Sequence, residues 1–210
     1  MTAIEQVQSY LTHREEYGSW GCTIEDFALW ARTTYERAQE DIRASVDAGI
    51  LAQMYGDLYY NPKSQNLTCY VLDDMIPYCR PNDFSYVSFE KILFKYGAIQ
   101  EPIAVLTVAT MGESGRYETA FGSLQFTHIE IASMFLLLRQ VFWSDDRQCY
   151  VASPYQAWKD LQQINRNIGL VDMELLERAM ERYEDMPDPF LETDPQPTIR
   201  CMGTPRPLGE

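Results

Sequence analysis

Six side chains between residues 32 and 43 are of the types that meet nucleic acid: Arg32, Thr33, Thr34, Tyr35, Arg37 and Arg43. Arginine forks onto phosphate or a guanine edge, hydroxyl groups donate to phosphate oxygens, and Gln39 among them can reach an adenine edge. Glu36, Glu40 and Asp41 are interleaved with these residues. Two uses of the same stretch therefore stand open. The arginines contact DNA, or they pair with Glu36, Glu40 or Asp47 at helical spacing on a helix used for docking or dimerisation.

Other chemistry is poorly served. Asp73-Asp74 and Asp145-Asp146 are adjacent, so on a strand their carboxylates point to opposite faces, and solvated loop charge is the expected role. Gly18-Ser19 with Glu25-Asp26 offers two consecutive acids on an expected helix, an arrangement that cannot turn both onto one magnesium ion. Two histidines, His13 and His128, and five scattered cysteines without a CxxC pair give no metal-ligand pattern. Gly112-Glu113-Ser114-Gly115 lacks the Lys-Ser/Thr of a phosphate loop and reads as a hairpin turn. No catalytic residue, metal or cofactor is expected.

Charge limits the partners. The 210 residues carry 17 basic and 31 acidic groups, a net charge of −14. Residues 1–62 hold four basic and ten acidic groups, so a single copy would bind DNA weakly against its own charge of −6. A homodimer on palindromic DNA would double the contacts. The N-terminal MTAIEQVQSY has neither a basic nor an apolar leader region. The most apolar stretch, Ile129 to Trp143, is too short to span a bilayer and is interrupted by Glu130 and Arg139. A cytoplasmic protein with no membrane contact is the expectation.

The elements that position the six residues follow from periodicity. Ile4, Val7 and Leu11 mark a first helix; Thr23 with Asp26 caps a second; Tyr35, Ala38, Ile42 and Val46 stripe a third, closed by Gly49. Residues 50–55 and 58–60 flank Gly56-Asp57 as a strand pair. Three helices and a hairpin are the order of a winged helix-turn-helix over residues 1–62, with an exit linker from Pro62 to Asn66. Beyond it, Ser88 precedes a helix that stops at Gly97. Residues 103–110, 117–121, 124–128 and 150–152 read as strands. Ser153-Pro154 starts a helix to Asn165, and a last helix runs from about Asp172 to Asp185. The tail, 186–210, holds six of the eleven prolines and is expected to be extended.

Four ordered stretches carry a resemblance. Tyr86-Val87-Ser88 to Leu93 with Tyr96-Gly97-Ala98-Ile99, then Thr107-Val108-Ala109-Thr110, then Phe121-Gly122 with Phe126-Thr127-His128-Ile129, and finally Val151-Ala152-Ser153-Pro154 with Ala157 and Asp160, together resemble the AbiEi-type antitoxin domain. Tyr155-Gln156 stands where that family often has Glu-Lys. The resemblance implies an α+β fold, a winged helix-turn-helix followed by a mixed helix and antiparallel-sheet domain over residues 67–185. It implies an antitoxin of a bacterial abortive-infection operon that pairs with a nucleotidyltransferase-like toxin and represses its own promoter by binding operator DNA. A stand-alone winged-helix regulator without a toxin is the alternative.

Overall fold

The protein is described from a computed structural model, in which residues 2–184 are placed. Its first helix begins where the chain supplies a cap. The Thr2 hydroxyl accepts the Glu5 N–H while the Glu5 carboxylate accepts the Thr2 N–H, and α1 (Ala3–Glu16) follows, with Val7, Tyr10 and Leu11 buried. Strand β1 (Gly21–Thr23) ends in a second capping box, Thr23 with Asp26, which opens α2 (Ile24–Ala31). Thr34 caps α3 (Tyr35–Asp47), and Ala38, Asp41, Ile42 and Ser45 lie on its inward side.

Gly49 (φ 70°) turns the chain out of α3, and Gly56 (φ 55°) turns it between β2 (Ala52–Tyr55) and β3 (Leu58–Tyr60). Neither glycine would meet a neighbouring atom if it carried a Cβ, so backbone angle rather than space requires glycine there. The strands form an antiparallel sheet in the order β1-β3-β2. Val7, Tyr10, Ile24, Phe27, Ile42 and Leu51 meet in the core between helices and sheet. These elements belong to a compact unit that takes, among the described residues, 2–71 with Glu118–Phe121.

Among the described residues the second unit takes Leu72–Tyr117 and 122–184. Two short helices, α4 (Val71–Asp74) and α5 (Ile76–Cys79), precede β4 (Ser85–Val87) and α6 (Phe89–Lys95). Then come β5 (Leu106–Thr110), β6 (Gly115–Thr119), β7 (Gly122–His128), α7 (Met134–Leu137), β8 (Val141–Ser144) and β9 (Cys149–Ala152). Helix α8 (Pro154–Ile164), capped by Ser153 with Pro154 in its first turn, and α9 (Met173–Glu184) complete it. Asp185 and the proline-rich tail lie outside the described residues.

Six strands form one sheet in the order β6-β7-β5-β4-β9-β8. The expected antiparallel sheet is corrected here to a mixed one: β5–β7 and β4–β9 run parallel, while β4–β5 and β8–β9 are antiparallel. The reason is the path of the chain. It leaves β5 for the edge strand β6 and returns through β7 between them, and it reaches β9 only after turning at the opposite edge through β8. All five residues of β5 are buried, which explains a continuous run of β-branched and apolar residues instead of alternation. The fold is α+β.

Candidate functional site

The six nucleic-acid candidates fall on the turn between α2 and α3 and on α3 itself. Arg32 caps α2 in the left-handed region (φ 52°), with its side chain exposed. The Thr33 N–H donates to the Ala28 carbonyl at 3.0 Å. The Thr34 hydroxyl accepts the Arg37 N–H at 3.3 Å, so part of its hydrogen-bonding capacity is used in starting the helix. Tyr35 is exposed at the first helical position. Arg43 and Tyr35 share the neighbourhood of Tyr59, whose phenol is pushed above the usual tyrosine range by burial first, then by Asp57 and Tyr35, with Arg43 acting in the opposite sense.

Arg37 behaves differently. Its guanidinium lies 3.2 Å from Glu40 Oε2 and 3.2 Å from Asp41 Oδ1, and the Asp41 side chain is only 6% exposed. The arginine is therefore directed along its own helix. At 3.6 residues per turn, Gln39, Arg43, Glu36, Asp47 and Glu40 lie side by side on the outward arc of α3, and all five are exposed. That arc holds three acids against one arginine. The remaining cation offered to a partner is Arg32, at the turn. A groove of about 640 Å³ in the same unit is lined by Gln8, Leu11, Glu15, Ile50 and Lys63 among others, and none of the six candidates lines it.

Three buried polar clusters sit in the second unit, and reading the residues one by one had not assembled them. Asp160 is 1% exposed. Its Oδ2 accepts from Ser88 Oγ at 2.6 Å and from the Tyr86 hydroxyl at 3.0 Å, and its Oδ1 from Gln156 Nε2 at 2.7 Å. Burial pushes the Asp160 carboxyl up despite these donors. One signal was present: Asp160 follows Ala157 by three positions on the inward stripe of α8, where an unpartnered acid would be costly.

Glu90, also buried, receives both prongs of Arg166 at 2.7 Å and Asn167 Nδ2 at 2.9 Å. Arg166 further donates to Thr127 Oγ1 at 3.2 Å and lies 5.0 Å from the centre of the Phe89 ring. Burial works to raise the Glu90 carboxyl, but the Arg166 and Asn167 bonds bring it below the usual range. Phe89 itself takes φ 57°, a strained choice for a bulky residue at the junction of β4 and α6.

Asp73 corrects the expectation of solvated loop charge. It lies on α4, 7% exposed, accepting from Arg147 Nη1 at 3.0 Å with the Cys149 thiol 3.7 Å away. The surrounding chain supplies a cation and a thiol donor, so the carboxylate can be taken out of water. Burial still pushes it above the usual range. Asp145 and Asp146 do lie exposed, on the β8–β9 turn. His128 is exposed, with Nδ1 2.9 Å from the Gly112 carbonyl.

Asp160, Tyr86 and Ser88 are closed to solvent, with Gln156 half-buried beside them, and the four are directed at one another, which suits them to holding β4 against α8. Among the described residues no three His, Cys, Asp or Glu side chains are grouped to hold a metal ion, and no helix is long and apolar enough to cross a membrane. No model of a known protein family matches the chain, and no curated protein matches it.

Proposed function

We propose that this chain is the antitoxin of a bacterial toxin–antitoxin operon, a cytoplasmic protein that neutralises a nucleotidyltransferase-like toxin. In this reading residues 1–62 act as a winged helix-turn-helix and residues 67–185 as an AbiEi-like domain. The observation that carries it is the convergence of the resembling stretches. Tyr86 and Ser88 from the first bond Asp160 from the last. Thr107 Oγ1, from the second, donates to the Ser88 carbonyl at 2.7 Å. Val108 pairs with Phe126 of the third, and Val87 with Val151 of the last. The four stretches thus share one core, as the parts of a single antitoxin domain would.

Toxin contact is assigned to the exposed side of α9, where Glu174, Glu177 and Glu181 face solvent. A protein that handles nucleotides or RNA offers a basic cleft, and opposite charge speeds the encounter. Promoter binding is assigned to Arg32, Thr33, Thr34, Tyr35 and Arg43. Arg37 was grouped with them in the sequence, and its two carboxylate partners make it the weakest of the set.

The test is growth of a naive bacterium carrying the native locus with and without this reading frame. Loss of growth on deletion, restored by resupplying the chain, is the expected result. Unchanged growth under verified expression of the neighbouring gene overturns the toxin partnership. Promoter binding would then favour the stand-alone regulator.

A further inference from the structure

The exit linker expected over Pro62 to Asn66 is a fastened segment. It reads Pro-Lys-Ser-Gln-Asn, and Ser64 alone among these five residues is buried. Apolar packing therefore does little to hold it, and hydrogen bonds do most. At the near end, directly after β3, the Asn61 N–H donates to the Trp20 carbonyl at 3.1 Å. The Asn61 side chain accepts the Lys63 N–H at 3.0 Å, and its carbonyl accepts the Ser64 N–H at 3.0 Å. An asparagine folding the next residues onto itself in this way makes a turn.

The far end is held by one residue of α1. Glu15 Oε2 accepts from Ser64 Oγ at 2.7 Å, and Glu15 Oε1 accepts the Gln65 N–H at 2.7 Å. The Asn66 side-chain amide donates to the Glu15 carbonyl at 3.0 Å, serving one of the carbonyls that a helix leaves open at its end. Ser64 Oγ in turn accepts the Asn66 N–H at 3.1 Å. These partners lie 49 to 51 positions apart. Glu15 stands in the last turn of α1, where the helix dipole opposes an acid. For the helix it is a poor choice; against residues 64–66 both of its carboxylate oxygens are used.

The same segment closes a groove. Lys63 and Gln65 line the space of about 640 Å³ together with Asn61, Glu15 and the apolar Leu11 and Ile50. We infer that residues 62–66 are a strap, hinged at Asn61 and latched by Glu15, which walls one side of this groove and opens as a piece while α1, α2 and α3 stay folded. A segment fixed by polar contacts to a single carboxylate opens at lower cost than a core built on Phe27 and Ile42. Opening withdraws Lys63 and Gln65 and leaves Leu11 and Ile50 facing water. The device lies outside the antitoxin reading, and its test uses neither toxin nor DNA.

Trypsin cleavage of the full chain after Lys63, identified by fragment mass, reads the opening, because a protease cuts the transiently released chain. Hydrogen exchange of the Gln65 N–H reads it a second way, and circular dichroism confirms that each variant is folded. Glu15→Ala is expected to speed cleavage after Lys63 about tenfold or more and to lower protection of the Gln65 N–H by a similar factor. Asn66→Ala, made from the strap side, is expected to speed cleavage about threefold. Thr23→Ala weakens a helix cap of the same unit without touching the strap, and should leave both readings within about twofold of the parent. Cleavage at the parental rate in folded Glu15→Ala overturns the inference, as it does in Asn66→Ala should the first variant fail to fold. So does a Thr23→Ala effect equal to that of Glu15→Ala, because opening would then be unfolding of the whole unit.

Discussion

Arg37 and Arg166 are both arginines clamped between acceptors, and they illustrate how differently the two units use charge. Arg37 reaches three and four positions along its own helix, with 59% of its side chain exposed. Arg166 reaches 76 positions back to a glutamate that is 4% exposed, and Arg147 reaches 74 positions back to Asp73. The near pair decorates a helix that packing already holds. The distant pairs tie together segments far apart along the chain, and each holds a carboxylate that water cannot reach; of Arg37's two partners Asp41 is buried as well, and only Glu40 stands in water. Breaking a buried pair should therefore be costly and breaking an exposed one nearly silent.

The largest effect is expected from Arg166→Ala, a loss of about 3 kcal/mol in denaturant unfolding, because Glu90 remains buried without its cation. Acid titration sharpens the point. The folded Glu90 carboxyl lies below its usual range, so its contribution is complete above the unfolded value of about 4.3 and is lost as pH falls through the folded value. In Arg166→Ala burial acts with less opposition, and this acid sensitivity should shrink. A loss below about 1 kcal/mol would show that the distant pair is no stronger than a surface one.

Next is Asp160, a buried acid met by three donors but by no arginine. Asp160→Ala leaves the Ser88, Tyr86 and Gln156 donors without their acceptor and should cost about 3 kcal/mol, with Asp160→Asn costing less. The pH trend has the opposite sign to that of Glu90. Burial raises the folded Asp160 carboxyl, so ionising it is more costly folded than unfolded. That cost is absent below the unfolded value of about 3.9 and grows as pH rises through the folded value. Asp160→Asn escapes it. The stability gap between the parent and Asp160→Asn should therefore narrow from acid to neutral pH, and a gap that widens would break the assignment.

These clusters also mark where reading the sequence succeeds and stops. The capping boxes at Thr2 and Thr23, the caps at Thr34 and Ser153, the stripe of α3 and the turns at Gly49 and Gly56 are local, written within a few residues, and all but the Thr2 box and the Thr34 cap were expected. Strands β1, β4 and β8 have three or four residues each, too short for periodicity to declare them, and the sense of β7 depends on the excursion through β6. The candidate nucleic-acid stretch was legible as residue types. That Arg37 would turn to Asp41 while Arg43 stayed on the outward arc depends on which side of α3 meets the core. Asp73 looked like loop charge because Arg147 and Cys149 are far away along the chain. A smaller prediction probes the legible class: Thr23→Ala removes one partner of a local capping box and should cost about 1 kcal/mol in thermal or denaturant unfolding, whatever happens at Asp160.

The smallest effect completes the comparison. A double-mutant cycle of Arg37→Ala and Glu40→Ala should give a coupling of about 0.3–0.5 kcal/mol at low salt, fading as salt is added. Both side chains stand in water, at 59% and 70% exposure, and screening there is effective. The corresponding cycle on Glu90 and Arg166 should give a coupling several times larger and nearly insensitive to salt, because solvent does not reach between the partners. The first cycle also bears on nucleic acid. If the coupling is this weak, a phosphate could compete for Arg37, and Arg37→Ala would weaken promoter binding alongside Arg43→Ala. If it exceeds about 1 kcal/mol, Arg37 is held to its own helix more firmly than an ordinary surface pair. DNA contact would then fall to Arg32, Arg43 and the hydroxyls between them.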